Sequence, residues 1–382
     1  MFTNLTEQQN MIRESAQKFA EQILQPCIKD AEKAGVFPKD IYEKAGEMNL
    51  LGVLIPENYG GLELGVLDLL IVLESLATIC PSFAASLVPC TVVVQSLLTF
   101  GTEEQKQKYL PDIAKGKTLC TFAVTEASGG SNWFLTNQSS ACLNKDGYVI
   151  NGSKSFISNA DAADLHFVLA RTNPEKGPAG FSVLIVENGM DGFKVGSLED
   201  KMGLQGYSAG ELIFNNCQIS KENILGRDGD GLSVFQAAGN YQCITLGAVA
   251  LGIADKALQE AIKFTKERPF FGGKTISQLE NVQVCIAEMY ADNMANSLLM
   301  YEAALEMEKP SMTMLPVAAC MKMMQGAVQI SDKAIKLHGA CGCSNEYAVS
   351  RCFTDAKTLS LLLNYDQMMS IMGKVILEVP DN

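Results

Sequence analysis

MGLQGYSAGELIF, residues 202–214, decides between two fold classes. Gly206, Ser208 and Gly210 match G-x-S-x-G, the pattern that presents a nucleophilic serine between a strand and a helix in α/β-hydrolases. The residues after Ser208 do not have a helical period, because Leu212 and Phe214 recur at the spacing of two that is typical of a strand. The pattern therefore favours a loop between two strands over a nucleophile elbow.

The two histidines of the chain also argue against a hydrolase, which would need a histidine base beside the serine. His166 lies in the strand-like stretch DLHFVLAR, and His338 opens HGACGC at 338–343. The second stretch also offers Cys341 and Cys343, but no second ligand pair at zinc spacing completes a site. We expect HGACGC to be a glycine-rich loop between helices, and we expect no metal.

Hydrophobic periodicity divides the chain into three parts. Ile12, Ala16 and Phe19 recur at helical spacing behind Thr6, a candidate N-cap, and helical segments continue to about residue 115. The period is two between about 117 and 225, where Asn151-Gly152 predicts a hairpin turn, and it is helical again after 231. This order predicts an α+β protein with an all-α domain at 1–115, a β domain at 116–225 and a helical domain at 226–382.

Composition excludes several classes of partner. The chain has 43 acidic and 30 basic residues, a net charge of −13 and no evident basic patch, so we expect no binding to nucleic acid. The uncharged run at 76–100 is long enough to span a membrane, but we expect Pro81 and Pro89 to break it into pieces suited to buried helices of a soluble core. Twelve scattered cysteines and a polar N-terminus predict a protein of the reducing cytoplasm.

Several longer motifs, taken together, point to one family. FAVTEASGGSNWF at 122–134 is a strand that runs into a turn rich in glycine and serine. Read with EDKMGLQGYSAGELIF, KERPFFGGKTISQLENVQ and LHGACGCSNEYAVSRCFTDAK, it resembles the acyl-CoA dehydrogenase family from about Leu5 to Lys374. The resemblance implies an N-terminal helical domain, a middle β-barrel domain and a C-terminal four-helix bundle.

The resemblance also implies FAD, bound between the middle and C-terminal domains, with its adenosine diphosphate half crossing to a partner subunit. A homodimer or homotetramer and an electron acceptor follow from the same resemblance. The implied FAD contacts are Phe122, Val124, Thr125, Gly130, Ser131, Phe156, Ser158, Arg268, Phe271, Lys336, Gly339, Ala340 and Gln367.

These positions differ in how they match the family. Phe156 and Ser158 replace the usual tryptophan and threonine, and they keep an aromatic wall and a hydroxyl near flavin N5 and O4. Arg268 matches the arginine that meets the pyrophosphate across the dimer. Lys336 replaces a glutamine, and Ala340 replaces the second glycine of the loop.

The family's catalytic base is the exception. Its glutamate position falls on Leu363, and the alternative position used by some members falls on Gln242. Neither side chain can remove the α-proton of a thioester, and Asp366 is the remaining candidate. In the family the backbone N–H of residue 363 polarises the thioester carbonyl, so we expect Leu363 and Ser131 to contact the substrate.

Two classes of function follow. One is an FAD-dependent enzyme that oxidises an unusual acyl thioester, such as an amino- or hydroxyacyl unit on a carrier protein in secondary-metabolite extender-unit biosynthesis, or a CoA thioester with a relocated base. The other is a flavin-binding partner subunit without catalysis. An alcohol or amine proton is easier to move than that of a carbon acid, which suits the missing glutamate.

Overall fold

A computed structural model describes residues 5–27, 37–130, 133–309 and 314–379. Its first part is helical. Thr6 caps the first helix, because its hydroxyl accepts from the Gln9 N–H while the Gln9 side chain accepts from the Thr6 N–H, at 3.2 and 3.0 Å. The N-cap prediction is therefore confirmed. The helices are α1 (Glu7–Phe19, continued by a π-helical segment Ala20–Leu24), α2 (Lys39–Glu47), α3 (Val66–Ala77), α4 (Pro81–Phe100) and α5 (Glu103–Ala114).

Two helices of the described chain are long and apolar enough to cross a membrane: α4, and the helix α6 that spans Gly231–Glu267. In each, most of the apolar window is buried inside the protein, 78% and 72% respectively, as in core helices. Pro81 begins α4, whereas Pro89 lies within it. The expectation that Pro89 interrupts the run was wrong, and the helix continues through it.

The middle part is one sheet around its own apolar core. Its strands are β1 (Cys120–Ala123), β2 (Ser140–Leu143), β3 (Gly147–Ser158), β4 (Leu165–Arg171), β5 (Phe181–Glu187), β6 (Phe193–Leu198), β7 (Ala209–Ser220) and β8 (Ile224–Leu225). The hydrogen-bonded order is β6-β7-β3-β2-β4-β5-β8, with β1 parallel to β4. Because the long strands β3 and β7 pair antiparallel, the two ends that carry Ser158 and Ala209 lie side by side.

The hairpin predicted at Asn151-Gly152 was wrong. Gly152 lies inside β3, at φ +138° and at an irregularity in the pairing with β7, and a Cβ there would meet Ser139 at 2.5–2.9 Å. The turn before β3 uses Asn144 instead, whose side chain accepts from the N–H groups of Asp146 and Gly147. Asn-Gly thus marked a bulge in a long strand.

The last part is helical again. Its helices are α6, α7 (Glu280–Glu306), α8 (Leu315–His338), α9 (Ala348–Leu359) and α10 (Tyr365–Ile376), and a short arm with strands β9 (Pro269–Phe270) and β10 (Lys274–Thr275) separates α6 from α7. The long helix α6 packs against α7, α8 and α9 and also against α3 and α4. The predicted order of helices, sheet and helices is confirmed, and the domain boundaries stay predictions.

Candidate functional site

The turn after β1 lies against the end of β3. The Ser155 N–H donates to the Thr125 carbonyl at 2.9 Å, which places the β1 turn beside Phe156 and Ser158. Phe156 has φ +56° at a second irregularity of the β3–β7 pairing, and its side chain is 63% exposed. A large aromatic residue rarely adopts this conformation. The local backbone thus turns one ring outward next to the glycine-rich turn.

A buried ion pair holds this turn in place. Lys154 is fully buried and its Nζ lies 2.9 Å from Glu126 Oε1 and 3.2 Å from the Val124 carbonyl. Glu126 also accepts from the N–H groups of Gln138 and Ser139, at 2.6 and 3.0 Å. These contacts join both sides of the turn to β3. The pair could not be predicted from the sequence, since nothing local links residues 28 positions apart.

Burial and charge compete in this pair. Burial lowers the pKa of Lys154 to about 8, although Glu126 opposes the shift. For Glu126, burial raises the pKa, but the lysine charge and the backbone donors outweigh it and hold the pKa below its usual value. Both groups are therefore charged at neutral pH.

A second buried contact lies at the end of β3. The phenol of Tyr207 and the hydroxyl of Ser158 are hydrogen-bonded, and Tyr207 is 2% exposed. The loop that carries Tyr207 is fastened to α9, because the Leu204 N–H donates to Asp355 Oδ1 at 2.6 Å. This loop therefore connects the sheet to the C-terminal helices next to one of the predicted flavin contacts.

The predicted base positions lie in the C-terminal helices. Leu363 is half-buried in the turn between α9 and α10, and its backbone N–H has no hydrogen-bond partner among the described residues. Asn364 caps α10 by accepting from the Gln367 N–H at 2.9 Å. Gln242 is half-buried on α6, whereas Asp366 is exposed in the first turn of α10. Among these positions only Asp366 carries a carboxylate, and it faces solvent.

Most of the remaining predicted FAD contacts form a second group, at the end of the helical bundle, whereas Gln367 lies in the first turn of α10. Arg268 follows α6, and its guanidinium lies 6.0 Å from the ring centre of Phe264, which stacks on His338 at 4.1 Å. Gly339, with φ +60°, and Ala340 follow His338 directly. Phe271 stands on the short arm and is 90% exposed. Lys336 is exposed and ion-paired with Asp332 at 2.6 Å.

The structure thus separates the predicted FAD contacts other than Gln367 into two groups on different elements. The first surrounds the β1 turn and the end of β3, and the second lies where α6 and α8 end. Of the first group, Gly130 is exposed at the end of the described turn, and Ser131 lies outside the described residues. His338 is the last residue of α8, and Gly339–Cys343 forms a short 3₁₀ helix in the connection to α9, so HGACGC lies between helices as expected.

Ser208 does not occupy a nucleophile elbow. It precedes strand β7 rather than a helix, and its buried hydroxyl has no hydrogen-bond partner in the described part of the chain. His166 is fully buried in β4 against Phe193, where burial lowers its pKa to about 4 and keeps the ring neutral. No contact in the structure links these two side chains within the described residues.

Ser208→Ala is therefore expected to retain flavin content and turnover, because the hydroxyl makes no bond whose loss would cost stability. Steady-state kinetics and thermal unfolding of the purified variant check this. Loss of all turnover, together with labelling of the unmodified protein by a serine-directed phosphonate, would revive the hydrolase interpretation.

The described residues fit the ring end of a flavin. The Thr125 hydroxyl and the Leu363 N–H have no hydrogen-bond partners in the described chain, so both donors are available to a ligand. The exposed ring of Phe156 lies close to Thr125, because the preceding residue of β3, Ser155, is hydrogen-bonded to the Thr125 carbonyl. An apolar wall with a few free donors is the composition expected of a cofactor site.

Comparisons with known proteins cover almost all of the chain. Residues 6–117, 121–217 and 229–372 match the N-terminal, middle and C-terminal domains of acyl-CoA dehydrogenase. Acryloyl-CoA reductase (NADH) of Anaerotignum propionicum is 34% identical over 357 residues, which cover 93% of this chain and 90% of the relative.

Solved structures agree. Butyryl-CoA dehydrogenase of Megasphaera elsdenii superposes with a TM-score of 0.95 at 31% identity, covering 99% of this chain and 100% of the other. The prolyl acyl carrier protein oxidase AnaB superposes with a TM-score of 0.92 at 28% identity, covering 98% and 100%. The chain therefore belongs to the acyl-CoA dehydrogenase family of FAD-dependent oxidoreductases.

Proposed function

We propose that this protein is an FAD-dependent dehydrogenase that oxidises an amino- or hydroxyacyl unit tethered to a carrier protein. The observation that carries the proposal is the apolar side chain of Leu363, which occupies the turn between α9 and α10 where the family resemblance expects a carboxylate. Removal of a carbon-bound α-proton needs a positioned base, whereas an alcohol or amine proton leaves far more easily. The proposed substrate suits the side chains present.

The chain's own residues would hold the cofactor and orient the substrate. FAD supplies the acceptor for the hydride that leaves the substrate carbon. Phe156 and Thr125 would hold the ring end, and the free N–H of Leu363 would donate to the thioester carbonyl and fix the acyl unit. Arg268 and Lys336 would offer positive charge to the pyrophosphate.

The two separate groups of FAD contacts support a homodimer or homotetramer. Phe271 and Arg268 are exposed on the arm after α6, so both side chains are accessible to a second copy. We propose that one subunit provides the ring end of each site and its partner provides the pyrophosphate end.

The twelve cysteines are free thiols, which fits the proposed location in a reducing cytoplasm.

A comparison supports the carrier-protein tether. AnaB, which superposes over almost the whole chain, is described as a prolyl acyl carrier protein oxidase, so an acyl unit on a carrier protein is compatible with this fold. CoA thioesters remain the alternative substrate class, with a relocated base such as Asp366. A flavin-binding partner subunit without turnover is the alternative from another class.

Purified protein is expected to be yellow and to contain close to one FAD per chain. Under anaerobic conditions, seryl- or glyceryl-type units on a carrier protein are expected to bleach the bound flavin, and mass spectrometry should show a product two hydrogens lighter. Bleaching by CoA thioesters alone would favour the alternative tether. Bound FAD that no thioester reduces would favour the inactive subunit, and repeated colourless preparations that take up no FAD would contradict the whole proposal.

A further inference from the structure

The hydrogen bond between Tyr207 and Ser158 joins two elements at the predicted flavin site. Ser158 is the last residue of β3, and Tyr207 belongs to the loop between β6 and β7. The tyrosine ring is buried, and the Tyr207 N–H also donates to the Leu204 carbonyl at 3.1 Å. No local sequence pattern predicts this contact, because the two residues are 49 positions apart.

Either hydroxyl of this pair can donate the bond, and Tyr207 can be the donor only while its phenol is protonated. Burial raises the pKa of Tyr207 to about 12, even though the bond to Ser158 opposes the shift, so the phenol keeps its proton at neutral pH. Lys201 lies 5.9 Å from the ring centre, and burial lowers its pKa. A protonated phenol can donate to Ser158 Oγ, which leaves the serine proton free for a second acceptor.

The position of Tyr207 is fixed from both sides. On one side the Leu204 N–H donates to Asp355 of α9, and Gly203 lies so close to that helix that a Cβ would come within 2.3 Å of the Thr354 carbonyl. On the other side the Asn159 N–H donates to the Ser208 carbonyl at 2.9 Å. The phenol is therefore held in one place relative to Ser158.

We propose that Tyr207 is a positioning residue of the flavin site, donating to Ser158 so that the serine hydroxyl is oriented and strengthened as a donor to the N5–O4 edge of FAD. The inference rests on the proposed function and on the prediction from the family resemblance that Ser158 contacts the flavin. Hydrogen bonds in series polarise one another, so a chain of two hydroxyls gives a stronger terminal donor than a lone serine. The phenol acts only through Ser158.

Tyr207→Phe tests this without emptying the space that the ring fills. The variant is expected to retain one FAD per chain but to shift the flavin absorption bands and the midpoint potential. Ser158→Ala should shift both in the same direction and further, and Ser158→Ala/Tyr207→Phe should match Ser158→Ala alone, because the two hydroxyls act in series. Tyr59→Phe, which removes a phenol bonded to Glu103 in the N-terminal part, is the matched control and should shift neither.

Replacing Tyr207 by 3-fluorotyrosine keeps the ring and makes the phenol a stronger donor, so the potential should move opposite to that of Tyr207→Phe. This second variant tests the proposed donation from Tyr207 to Ser158 even if Tyr207→Phe fails to fold. An unchanged spectrum and potential in either FAD-loaded variant, or additive shifts in the double variant, would overturn the inference alone. Unmodified protein that takes up no FAD would instead overturn the proposed function.

Discussion

Glu126→Gln is expected to lower the free energy of unfolding by about 3–5 kcal/mol, because it leaves the ammonium group of Lys154 buried without its countercharge. The turn after β1 should loosen at the same time, since Glu126 also accepts the N–H groups of Gln138 and Ser139. Urea unfolding measures the first effect. FAD content after dialysis measures the second, because this turn carries several predicted flavin contacts.

Two controls separate the buried charge from the lost hydrogen bonds. Glu126→Gln/Lys154→Met removes both charges and should recover much of the loss, since an apolar replacement of a buried pair costs far less than breaking it. Glu288→Gln, at an exposed pair with Lys333, should change stability by less than about 1 kcal/mol. A loss of similar size in Glu126→Gln and Glu288→Gln would contradict the account.

The pH dependence provides a further check with a defined sign. Folding lowers the pKa of Lys154 to about 8 from its ordinary 10.5, so the folded state gives up this proton more readily than the unfolded chain. Stability attributable to this group therefore rises with pH above about 8. In Glu126→Gln the ammonium loses its partner and its pKa falls further, so the stability gap to the unmodified protein should narrow between pH 7 and pH 9.

The order of the three parts could be predicted because each part repeats one hydrophobic period over many residues. Ile12, Ala16 and Phe19 lie on the side of α1 that faces the protein core. Leu165, Phe167 and Leu169 share one face of β4. Thr6 could be predicted as a cap because a cap is a local arrangement of four residues. Such features depend on neighbours in sequence, which periodicity and capping rules describe.

The parts of the site that pair distant residues could not be predicted in this way. From the sequence, Lys154 is one polar residue of a strand, yet its partner Glu126 lies in the turn after β1. From the sequence, Tyr207 is an aromatic residue in a loop that contains glycines. Only the antiparallel pairing of β3 with β7 brings it to Ser158. The hairpin prediction at Asn151-Gly152 failed for the same reason, because the pairing of the strand decides whether such a glycine forms a turn or a bulge.

Leu363 is expected to limit the unmodified protein to very slow α,β-dehydrogenation of butyryl-CoA or octanoyl-CoA, because neither predicted base position carries a carboxylate. A positioned general base contributes about 10²–10⁴-fold to a rate, so the deficit should be plain in an anaerobic flavin-bleaching assay. Leu363→Glu restores a carboxylate while keeping the backbone N–H that would hold the thioester carbonyl. It should raise both α-proton exchange with D₂O and flavin reduction by a fitting acyl thioester.

The environment of the new acid predicts how this gain depends on pH. Leu363 is half-buried and packs against the main apolar core, so burial should raise the pKa of a glutamate there, and its activity should increase with pH as it ionises. Leu361→Glu, at a 69% exposed position in the same turn, is the matched control and should give no gain. Fast oxidation of butyryl-CoA by the unmodified protein would show that another residue is the base. Equal rates in Leu363→Glu and Leu361→Glu, with FAD and ligand bound in both, would show that position 363 does not face the α-carbon.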